Sequence, residues 1–203
     1  MQKIVSENFF QDNFVCENSV VKLRPITFED IQVLGHFASD SKIWQYVTYK
    51  MQKSQDMVNY VEETLRQRQV KARYHFVIED KRVGNIVGSS ALINYSKENS
   101  RIEIGHSWLA TKFQGKNINK NAKFLLLNLA FDHLNIERVE FKTDALNLRA
   151  RNALIKIGAT EEGILRNHTL MPDGRRRDTI YYSILKDEWH NQIKLANFSD
   201  CID

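Results

Sequence analysis

The sequence predicts a mixed α/β fold of the α+β class, in which one sheet of about seven strands carries helices on both faces. Three observations lead to this prediction. The chain has 203 residues, of which 42% are hydrophobic and 27% are charged, which suffices for one substantial core. Its hydrophobic spacing changes between helical and strand-like periods in the order β, α, α, three strands, helix, strand, helix and two strands. Turn-forming residues separate neighbouring strands.

The first third of the chain predicts one strand followed by two helices. Residues 20–24 alternate as a strand, which Pro25 closes because proline cannot donate a hydrogen bond to a ladder. Thr27 is the predicted cap of a helix, since the apolar spacing over 28–38 is helical. Ser54 is the predicted cap of a second helix, which runs to about residue 70.

Three consecutive strands are predicted next. Residues 72–78 and 83–95 have strand-like patterns on either side of a turn at 79–82, so we expect them to pair as a hairpin. A further turn leads into a third strand over 101–109. Within this strand, Gly105 indicates a bulge or the close approach of another backbone.

The segment 114–120, Gln-Gly-Lys-Asn-Ile-Asn-Lys, lies between the strand that ends near Leu109 and a helix predicted over 119–134. A helix start offers unpaired N–H donors and the positive end of the helix dipole. Turn-forming residues just before it allow the main chain to close around an anion. We therefore expect this junction to hold the pyrophosphate of a diphosphate-bearing cofactor.

The last predicted elements are a strand, a helix and a pair of strands. Residues 139–143 alternate as a strand, and Asn147 can cap the helix that follows it. Gly158 ends that helix, as glycine commonly does at a left-handed helix terminus. Strands are then predicted over 159–165 and 178–185, joined by the strong turn sequence Met-Pro-Asp-Gly.

These elements divide the chain into an N-terminal extension over residues 1–18, one domain over 19–189 and a C-terminal tail over 190–203. Toward the end of the chain, the sequence pattern predicts one helical turn around Trp189 and no further element. The length of the chain favours a single globular domain.

Composition excludes several classes of function. The formal net charge of +4 suits an anionic cofactor but falls short of the dense basic stripe of a duplex-binding protein, so nucleic acid is not an expected partner. Cys16 and Cys201 are the two cysteines, and their spacing predicts neither a zinc site nor a disulfide framework. The chain shows no signal peptide and no apolar stretch of membrane-spanning length. We expect a cytoplasmic protein without a metal or a membrane partner.

Five segments occur in a fixed order between Val20 and Trp189, and together they resemble one known family. The segments are 103–109, 114–123, 138–151, 158–168 and 177–185. They include ends of predicted strands, the loop 114–120, starts of predicted helices and the final pair of strands. The combination is similar to the GCN5-related N-acetyltransferases (GNAT), in particular to the branch of RimJ/RimL-type ribosomal-protein N-terminal acetyltransferases. No single segment is decisive, but their order and spacing make a strong composite.

The resemblance implies the GNAT fold, a mostly antiparallel twisted sheet with a V-shaped splay between strands 4 and 5, here 101–110 and 137–144. It also implies that acetyl-CoA lies in the gap and leaves as coenzyme A. The implied cofactor-binding residues are main-chain donors, the pyrophosphate loop and two residues beyond it: Trp108, Leu109, Ala110, Gln114, Gly115, Lys116, Asn117, Ile118, Asn119, Lys120, Asn147 and Arg151.

The chain departs from the family pattern at three positions. The family's loop reads Gln/Arg-x-x-Gly-x-Gly/Ala, and Asn117 and Asn119 stand where small residues are usual. Asparagine tolerates a left-handed backbone, so we expect Asn117 to preserve the turn at a cost on the order of 1 kcal/mol against glycine. Asn119 can serve as a helix cap. Ala150 replaces a serine that several relatives carry as a proposed proton donor, so any acid must come from elsewhere.

Two side chains are the candidates for catalysis. Glu103 is the candidate base, because a carboxylate on the cleft side of a partly buried strand can pass a proton through water. The alternative is a structural glutamate paired with Arg101 or another basic residue. Tyr182 is the candidate acid, since a phenol near a thiolate can return a proton, and Tyr181 and His168 are the alternatives.

Structural interpretations stay open for four other features. Trp108 suits plain core packing, and Asn147 suits a helix cap. His106 is interpreted as a packed or surface histidine. The run 175–177 of three arginines suits either a solvated hairpin tip or a basic lip that steers acidic groups or RNA, with Arg177 and Asp178 as a local pair.

The implied activity is acetyl transfer from acetyl-CoA to a primary amine, with the N-terminal α-amine of a protein as the favoured acceptor. An α-amine with a pKa of about 8 is roughly a tenth neutral at pH 7, whereas a lysine near 10.4 is almost wholly charged. A polyamine, an amino acid or an aminoglycoside is an alternative acceptor. A non-catalytic acyl-CoA-binding protein and an RNA-binding module are the alternatives of other classes. A monomer and a homodimer are both compatible with the sequence.

Overall fold

The computed structural model describes residues 9–202, which form one eight-stranded sheet packed against helices. The strands are β1 Cys16–Glu17, β2 Val21–Pro25, β3 Arg73–Asp80, β4 Asn85–Ser96, β5 Arg101–Leu109, β6 Arg138–Asp144, β7 Thr160–Leu170 and β8 Arg176–Leu185. Their order is β1-β2-β3-β4-β5-β6-β8-β7, and every neighbouring pair except β5 and β6 is antiparallel. The predicted mixed fold is confirmed, with the two-residue β1 added to the seven predicted strands.

The helices are α1 Ile31–Gly35, α2 Ser41–Trp44, α3 Ser54–Gln69, α4 Ile118–Asn128, α5 Leu148–Lys156, α6 Lys186–Glu188 and α7 Lys194–Phe198. The helix predicted over 28–38 is shorter, because a 3-10 turn precedes α1. The Asp30 carboxylate accepts the Thr27 N–H (2.8 Å) and a two-pronged contact from Arg24, which fixes this turn. Phe28 consequently faces solvent and is 58% exposed.

The sheet carries a hydrophobic core on each face, because alternate residues of a strand point in opposite directions. In β3, Phe76 and Ile78 belong to the larger core, whereas Val77 belongs to the smaller one. Helix α4 packs on the larger core, and α3 packs on the smaller one through Met57 and Val61.

The hairpin of β4 and β5 contains the bulge that Gly105 predicted. Ser89 pairs with Trp108 and Ala91 pairs with Gly105, so the register shifts between these two pairs. The extra residue is accommodated by His106, whose backbone is left-handed with φ +48°. A bulge re-aims the side chains beside it, and this one lies where β5 turns away from its next neighbour.

Strands β5 and β6 pair in parallel over a short stretch and then diverge. The paired residues are 101–103 of β5 and 138–140 of β6. Beyond them β6 continues to pair with β8 up to Asp144, while β5 continues along β4 up to Leu109. This divergence is the V-shaped splay predicted between strands 4 and 5, which is confirmed.

The end of the chain is helical and packs into the larger core. Residues 186–201 form α6, a π-helical turn, α7 and a 3-10 turn in succession. Trp189, Phe198 and Cys201 are buried there, and the Trp189 ring packs against Phe131 with ring centres 5.8 Å apart. The sequence pattern predicted no more than one helical turn in this segment.

The predicted N-terminal extension is partly described. Phe9 and Phe10 are buried in the larger core, and the Arg68 guanidinium donates to the Phe10 carbonyl (2.9 Å). Residues 1–8 and residue 203 lie outside the described part of the chain. Over residues 9–202, no helix combines the length and the apolar character needed to cross a membrane.

Candidate active site

The gap between the diverging parts of β5 and β6 forms a cavity of about 1330 Å³. Its walls come from strands β4 to β8, from α5, from the start of α4 and from the segment 43–49. Ordinary small-molecule pockets measure about 300–1,000 Å³. The gap therefore has room for an extended cofactor and for part of a second substrate.

One end of the cavity is the start of α4, where the chain passes through two left-handed residues. Gly115 has φ +75° and Asn117 has φ +61°. The first helical hydrogen bond runs from the Asn121 N–H to the Asn117 carbonyl (3.0 Å). The N–H groups before Asn121 therefore have no acceptor within the helix. Such donors at the positive end of a helix dipole suit a pyrophosphate.

Asn117 keeps the left-handed backbone that the sequence analysis predicted for it. It also occupies the cap position of α4. The prediction that Asn119 caps this helix is therefore wrong, because Asn119 already lies in the first helical turn. Its main-chain N–H remains one of the first-turn donors.

Two substitutions at Asn117 should differ in their effect on coenzyme A affinity. Asn117→Val places a β-branched side chain at φ +61°, which costs about 1–2 kcal/mol and should weaken binding roughly tenfold. Asn117→Gly removes the left-handed strain and should bind coenzyme A at least as tightly as the natural protein. Isothermal titration calorimetry of the three proteins checks this order. Equal affinity in all three would show that this loop does not hold the pyrophosphate.

Gln114 links the two walls of the gap. Its side-chain amide donates to the Leu109 carbonyl at the end of β5 (2.9 Å), and its oxygen accepts from Arg149 of α5. Arg149 thereby joins the cavity wall at the loop, a position that no sequence motif indicates. Lys120 also lies on this wall, but its ammonium is paired with Asp200 from the C-terminal segment.

The remaining loop residues divide into exposed and buried positions. Gly115 and Lys116 are exposed, and the Lys116 ammonium lies 5.5 Å from the ring centre of Phe113. Ile118 is fully buried in the larger core, so the group that it presents to the loop is its main-chain N–H.

The predicted main-chain donors of β5 are not equivalent. The Ala110 N–H donates to the Val87 carbonyl (2.8 Å), so it is used within the sheet. Neighbouring N–H groups of a strand point in opposite directions, so the Leu109 N–H is directed toward the gap. The Trp108 side chain is buried against Trp44 in the smaller core, with ring centres 4.9 Å apart.

Two helix-end groups shape the β6 side of the gap. The Asn147 side chain accepts the Ala150 N–H (3.1 Å), which confirms its capping role, and both residues line the cavity. The Arg151 guanidinium instead donates to the Ala145 carbonyl (3.1 Å) and to the Tyr182 hydroxyl (3.3 Å).

The candidate acid Tyr182 is directed away from the cavity. Its hydroxyl donates to the Glu161 carboxylate of β7 (3.0 Å), and burial raises its pKa. Neither Tyr182 nor Arg151 contributes to the described cavity wall, whereas His168 does. The His168 Nδ1 is hydrogen-bonded to the Thr179 hydroxyl (3.0 Å).

Glu103 is buried on the cavity wall and is held by two donors. Its carboxylate accepts from the Asn94 side-chain amide (2.8 Å) and from the Lys142 ammonium (2.8 Å). Burial of Lys142 opposes its charge, but the hydrogen bond and charge of Glu103 prevail and raise the pKa of Lys142. The partner is not Arg101, which pairs with Glu140 (3.0 Å). Glu103 is thus an oriented carboxylate that borders the cavity.

The floor of the gap holds a buried lysine that the sequence analysis missed. The Lys123 ammonium of α4 donates to the Ser107 hydroxyl of β5 (2.6 Å) and lies 5.7 Å from the ring centre of Phe141 in β6. It therefore spans the two diverging strands. Burial lowers the pKa of Lys123 to about 7, and the Glu103 carboxylate acts in the opposite direction. The available signal was a lysine inside the apolar stripe of α4.

The bulge of β5 carries a cluster of aromatic rings, in which His75 is buried and both His106 and Tyr49 line the cavity. His106 stacks on Tyr49, with ring centres 5.8 Å apart, and meets His75 edge-on at 5.2 Å. Burial lowers the pKa of His106 to about 4 and places that of His75 well below its usual value. Both rings are neutral at pH 7, and the interpretation of His106 as packed is confirmed.

The arginine run 175–177 is a solvated hairpin tip only in part, because Arg176 is exposed whereas Arg177 is buried. Arg176 donates to the Asn167 side chain (2.9 Å), and Arg177 is buried on the cavity wall. The local pair predicted between Arg177 and Asp178 is wrong, because Asp178 accepts the Asn167 N–H (2.6 Å) instead. Within residues 9–202, no group of three or more His, Cys, Asp or Glu side chains is placed to hold a metal ion.

Known proteins resemble this chain over the same elements. The model of the acetyltransferase (GNAT) domain family matches residues 21–160. A solved structure described as a "putative acetyltransferase" has a TM-score of 0.83 at 29% identity, and the match covers 93% of this chain and 94% of that chain.

Two curated relatives come from bacilli. The "Putative ribosomal N-acetyltransferase YdaF" of Bacillus subtilis is 36% identical over 109 residues, which are 54% of this chain and 58% of that protein. The "Uncharacterized N-acetyltransferase p20" of Bacillus licheniformis is 26% identical over 171 residues, which are 82% of this chain and 93% of that protein. The family match covers more than half of the chain and includes β5, β6 and the loop before α4. The chain therefore belongs to the GNAT acetyltransferase family.

Proposed function

We propose that the protein transfers the acetyl group of acetyl-CoA to a primary amine, and that the acceptor is the N-terminal α-amine of a protein. The observation that carries this proposal is the gap between β5 and β6, which ends on the free N–H groups at the start of α4. An elongated cofactor with a diphosphate at its centre suits a gap of this size with donors at one end. Membership of the GNAT family supports the same cofactor.

The residues on the gap fit acetyl-CoA in their chemistry. The main-chain N–H groups from Ile118 to Lys120 would hold the pyrophosphate, with Gly115 and Asn117 shaping the loop. The Leu109 N–H would hold the pantetheine as one further partner of the sheet. When bound, acetyl-CoA supplies an acetyl group that is activated as a thioester.

Acetyl transfer requires a neutral amine close to the acetyl group. Glu103 is oriented by Asn94 and Lys142 and borders the cavity, so it would accept the proton of an incoming ammonium through a water molecule. The walls would supply the larger part of the catalysis by holding both substrates in one geometry.

An α-amine is the acceptor that needs least help from a base. With a pKa of about 8 it is roughly a tenth neutral at pH 7, so a moderately basic carboxylate suffices. The relative named as a ribosomal N-acetyltransferase supports this acceptor class and the RimJ/RimL-type branch. We propose a cytoplasmic location, since a ribosomal acceptor lies in that compartment and Cys16 and Cys201 lack the spacing of a disulfide framework.

A screen of acceptors tests the proposed function. The natural protein receives acetyl-CoA and, in separate reactions, peptides with free α-amines, the same peptides with blocked α-amines, polyamines and amino acids. We expect acetylation of the free peptides and none of the blocked ones, read by mass spectrometry. Acetylation of the small amines alone would overturn the protein acceptor. Binding of acetyl-CoA without acetylation of any amine would instead identify an acyl-CoA-binding protein.

A further inference from the structure

Arg177 of β8 is a buried cation without a partner in the described chain. Its side chain lies on the cavity wall and the residue is 8% exposed. The Arg177 Nε has no hydrogen-bond partner among residues 9–202, and its guanidinium forms no ion pair with them. The arginines before it are engaged, since Arg175 pairs with Asp144 and Arg176 donates to Asn167.

An unpaired buried guanidinium is unfavourable, because a charge removed from water needs a compensating partner. Arginine cannot escape this cost by losing its proton under ordinary conditions. Burial is the largest effect on the pKa of Arg177 and lowers it, although the charges of Asp144 and Glu103 act in the opposite direction. A group on the cavity wall with this property suits an anionic ligand.

The strand register places Arg177 on the same face of the sheet as Glu103. Lys142 pairs with Tyr181 across β6 and β8, and alternate residues of β8 share a face, so Arg177 lies on the face of Tyr181. Lys142 is also the residue that holds Glu103. The candidate base and the unpaired arginine therefore border one compartment, opposite the floor formed by α4.

The charges around Arg177 favour a ligand with a single negative charge. Asp144 and Arg175 neutralise each other, and so do Glu103 and Lys142. Arg177 is consequently the cation of this group that has no carboxylate of its own. A planar carboxylate matches the fork of a guanidinium, whereas a doubly charged phosphate would face the Asp144 and Glu103 carboxylates.

We propose that Arg177 binds a carboxylate carried by the amine acceptor. The inference rests on the proposed function and narrows its acceptor to amines that bear a carboxylate near the reacting nitrogen. Such a carboxylate has two sources, the acidic side chain of a residue near a protein N-terminus and the α-carboxylate of a free amino acid. Arg177 holds this group while Glu103 faces the amine.

Paired acceptors test the proposal. One pair consists of peptides that begin with glutamate or with glutamine, and the other consists of a free amino acid and its amide. The natural protein should use the carboxylate-bearing member of one pair with a kcat/KM about 10- to 100-fold higher, chiefly through KM. The pair that shows the preference identifies the source of the carboxylate. Equal use of both members in both pairs would overturn the proposal.

Substitutions of Arg177 test whether this residue causes the preference for a carboxylate-bearing acceptor. Arg177→Met should abolish it, and Arg177→Lys, which keeps the charge without the fork, should retain part of it. The matched control is Arg176→Met, since Arg176 lies next to the site but faces the other side of the strand. Full preference in Arg177→Met would contradict the proposal, and Arg177→Lys serves as the folded alternative if the methionine variant is unstable.

Binding of propionate, which has a carboxylate and no amine, gives a readout without turnover. At constant ionic strength, propionate should raise the melting temperature of the natural protein and of Arg176→Met, but not that of Arg177→Met. Equal shifts in all three proteins would overturn the anion site. If no amine is acetylated but the propionate effect depends on Arg177, the proposed function fails and the carboxylate site stands.

Discussion

Replacing Glu103 by glutamine is expected to lower kcat by about 100- to 10,000-fold, the range of general acid–base catalysis. Glutamine has the shape of glutamate and can still accept from Asn94 and Lys142, but it cannot take a proton from the acceptor. Acetyl-CoA binding should persist, because the loop before α4 that we propose to hold the cofactor does not involve Glu103. Steady-state kinetics and calorimetry of the same preparation measure the two quantities.

Lys142 provides the control for this result. Lys142→Met breaks the same ion pair but leaves the Glu103 carboxylate in place. If Glu103 acts as the base, Lys142→Met should retain much more activity than Glu103→Gln. Equal losses in the two variants would show that the pair is structural. Undiminished turnover in Glu103→Gln would reject the base altogether.

Replacing Lys123 by methionine is expected to stabilise the protein at neutral pH. The pKa of Lys123 is lowered to about 7 by burial, against about 10.4 for an unfolded lysine, so the unfolded chain binds more protons between these values. The buried lysine therefore destabilises the folded protein. This effect has its full size below pH 7 and disappears as the pH rises toward 10. The free energy of unfolding of Lys123→Met should therefore exceed that of the natural protein by about 4 kcal/mol at pH 7 and by about 1 kcal/mol at pH 9.5.

The neighbours of Lys123 tolerate this change. The Ser90 and Ser107 hydroxyls are 2.7 Å apart, so they remain hydrogen-bonded to each other without the ammonium. Urea titrations at both pH values measure the difference, with Lys53→Met, which alters an exposed lysine, as the control. Parallel stability curves for the natural protein and Lys123→Met would contradict the lowered pKa.

The sequence predicted most of the sheet because its strands carry local signals. The alternation on both sides of a turn specifies the first hairpin, although the turn lies at 81–84 and not at the predicted 79–82, and Gly105 indicated the bulge. Asn117 was predicted to be left-handed because its side chain tolerates that backbone, and the structure agrees. The splay between β5 and β6 was not a local property, and its prediction came from the family resemblance.

Other features depend on contacts between distant parts of the chain. The two-residue β1 exists because it pairs with β2, and its own residues carry no strand pattern. The C-terminal helices form because Trp189 and Phe198 pack into the larger core. The partner of Glu103 was likewise not predictable, since Lys142 reaches it from another strand.

The same limit applies to the candidate acid and to the unpaired cation. Tyr182 was chosen by chemistry, but the strand pairing directs its hydroxyl to Glu161 on β7. Arg177 stood in a run that suggested exposure, whereas the fold buries it beside the cavity. Residue type and spacing predicted the elements, and the register of the strands determined which side chains reach the gap.

A calorimetric comparison of coenzyme A with pantetheine tests the central claim most directly. Both compounds have the thiol arm that would lie along β5, but pantetheine lacks the diphosphate and the nucleotide attached to it. If the gap holds the arm and the start of α4 holds the diphosphate, coenzyme A should bind saturably and pantetheine at least about tenfold more weakly. Failure of coenzyme A to bind at millimolar concentration, or equal affinity for the two compounds, would contradict the account.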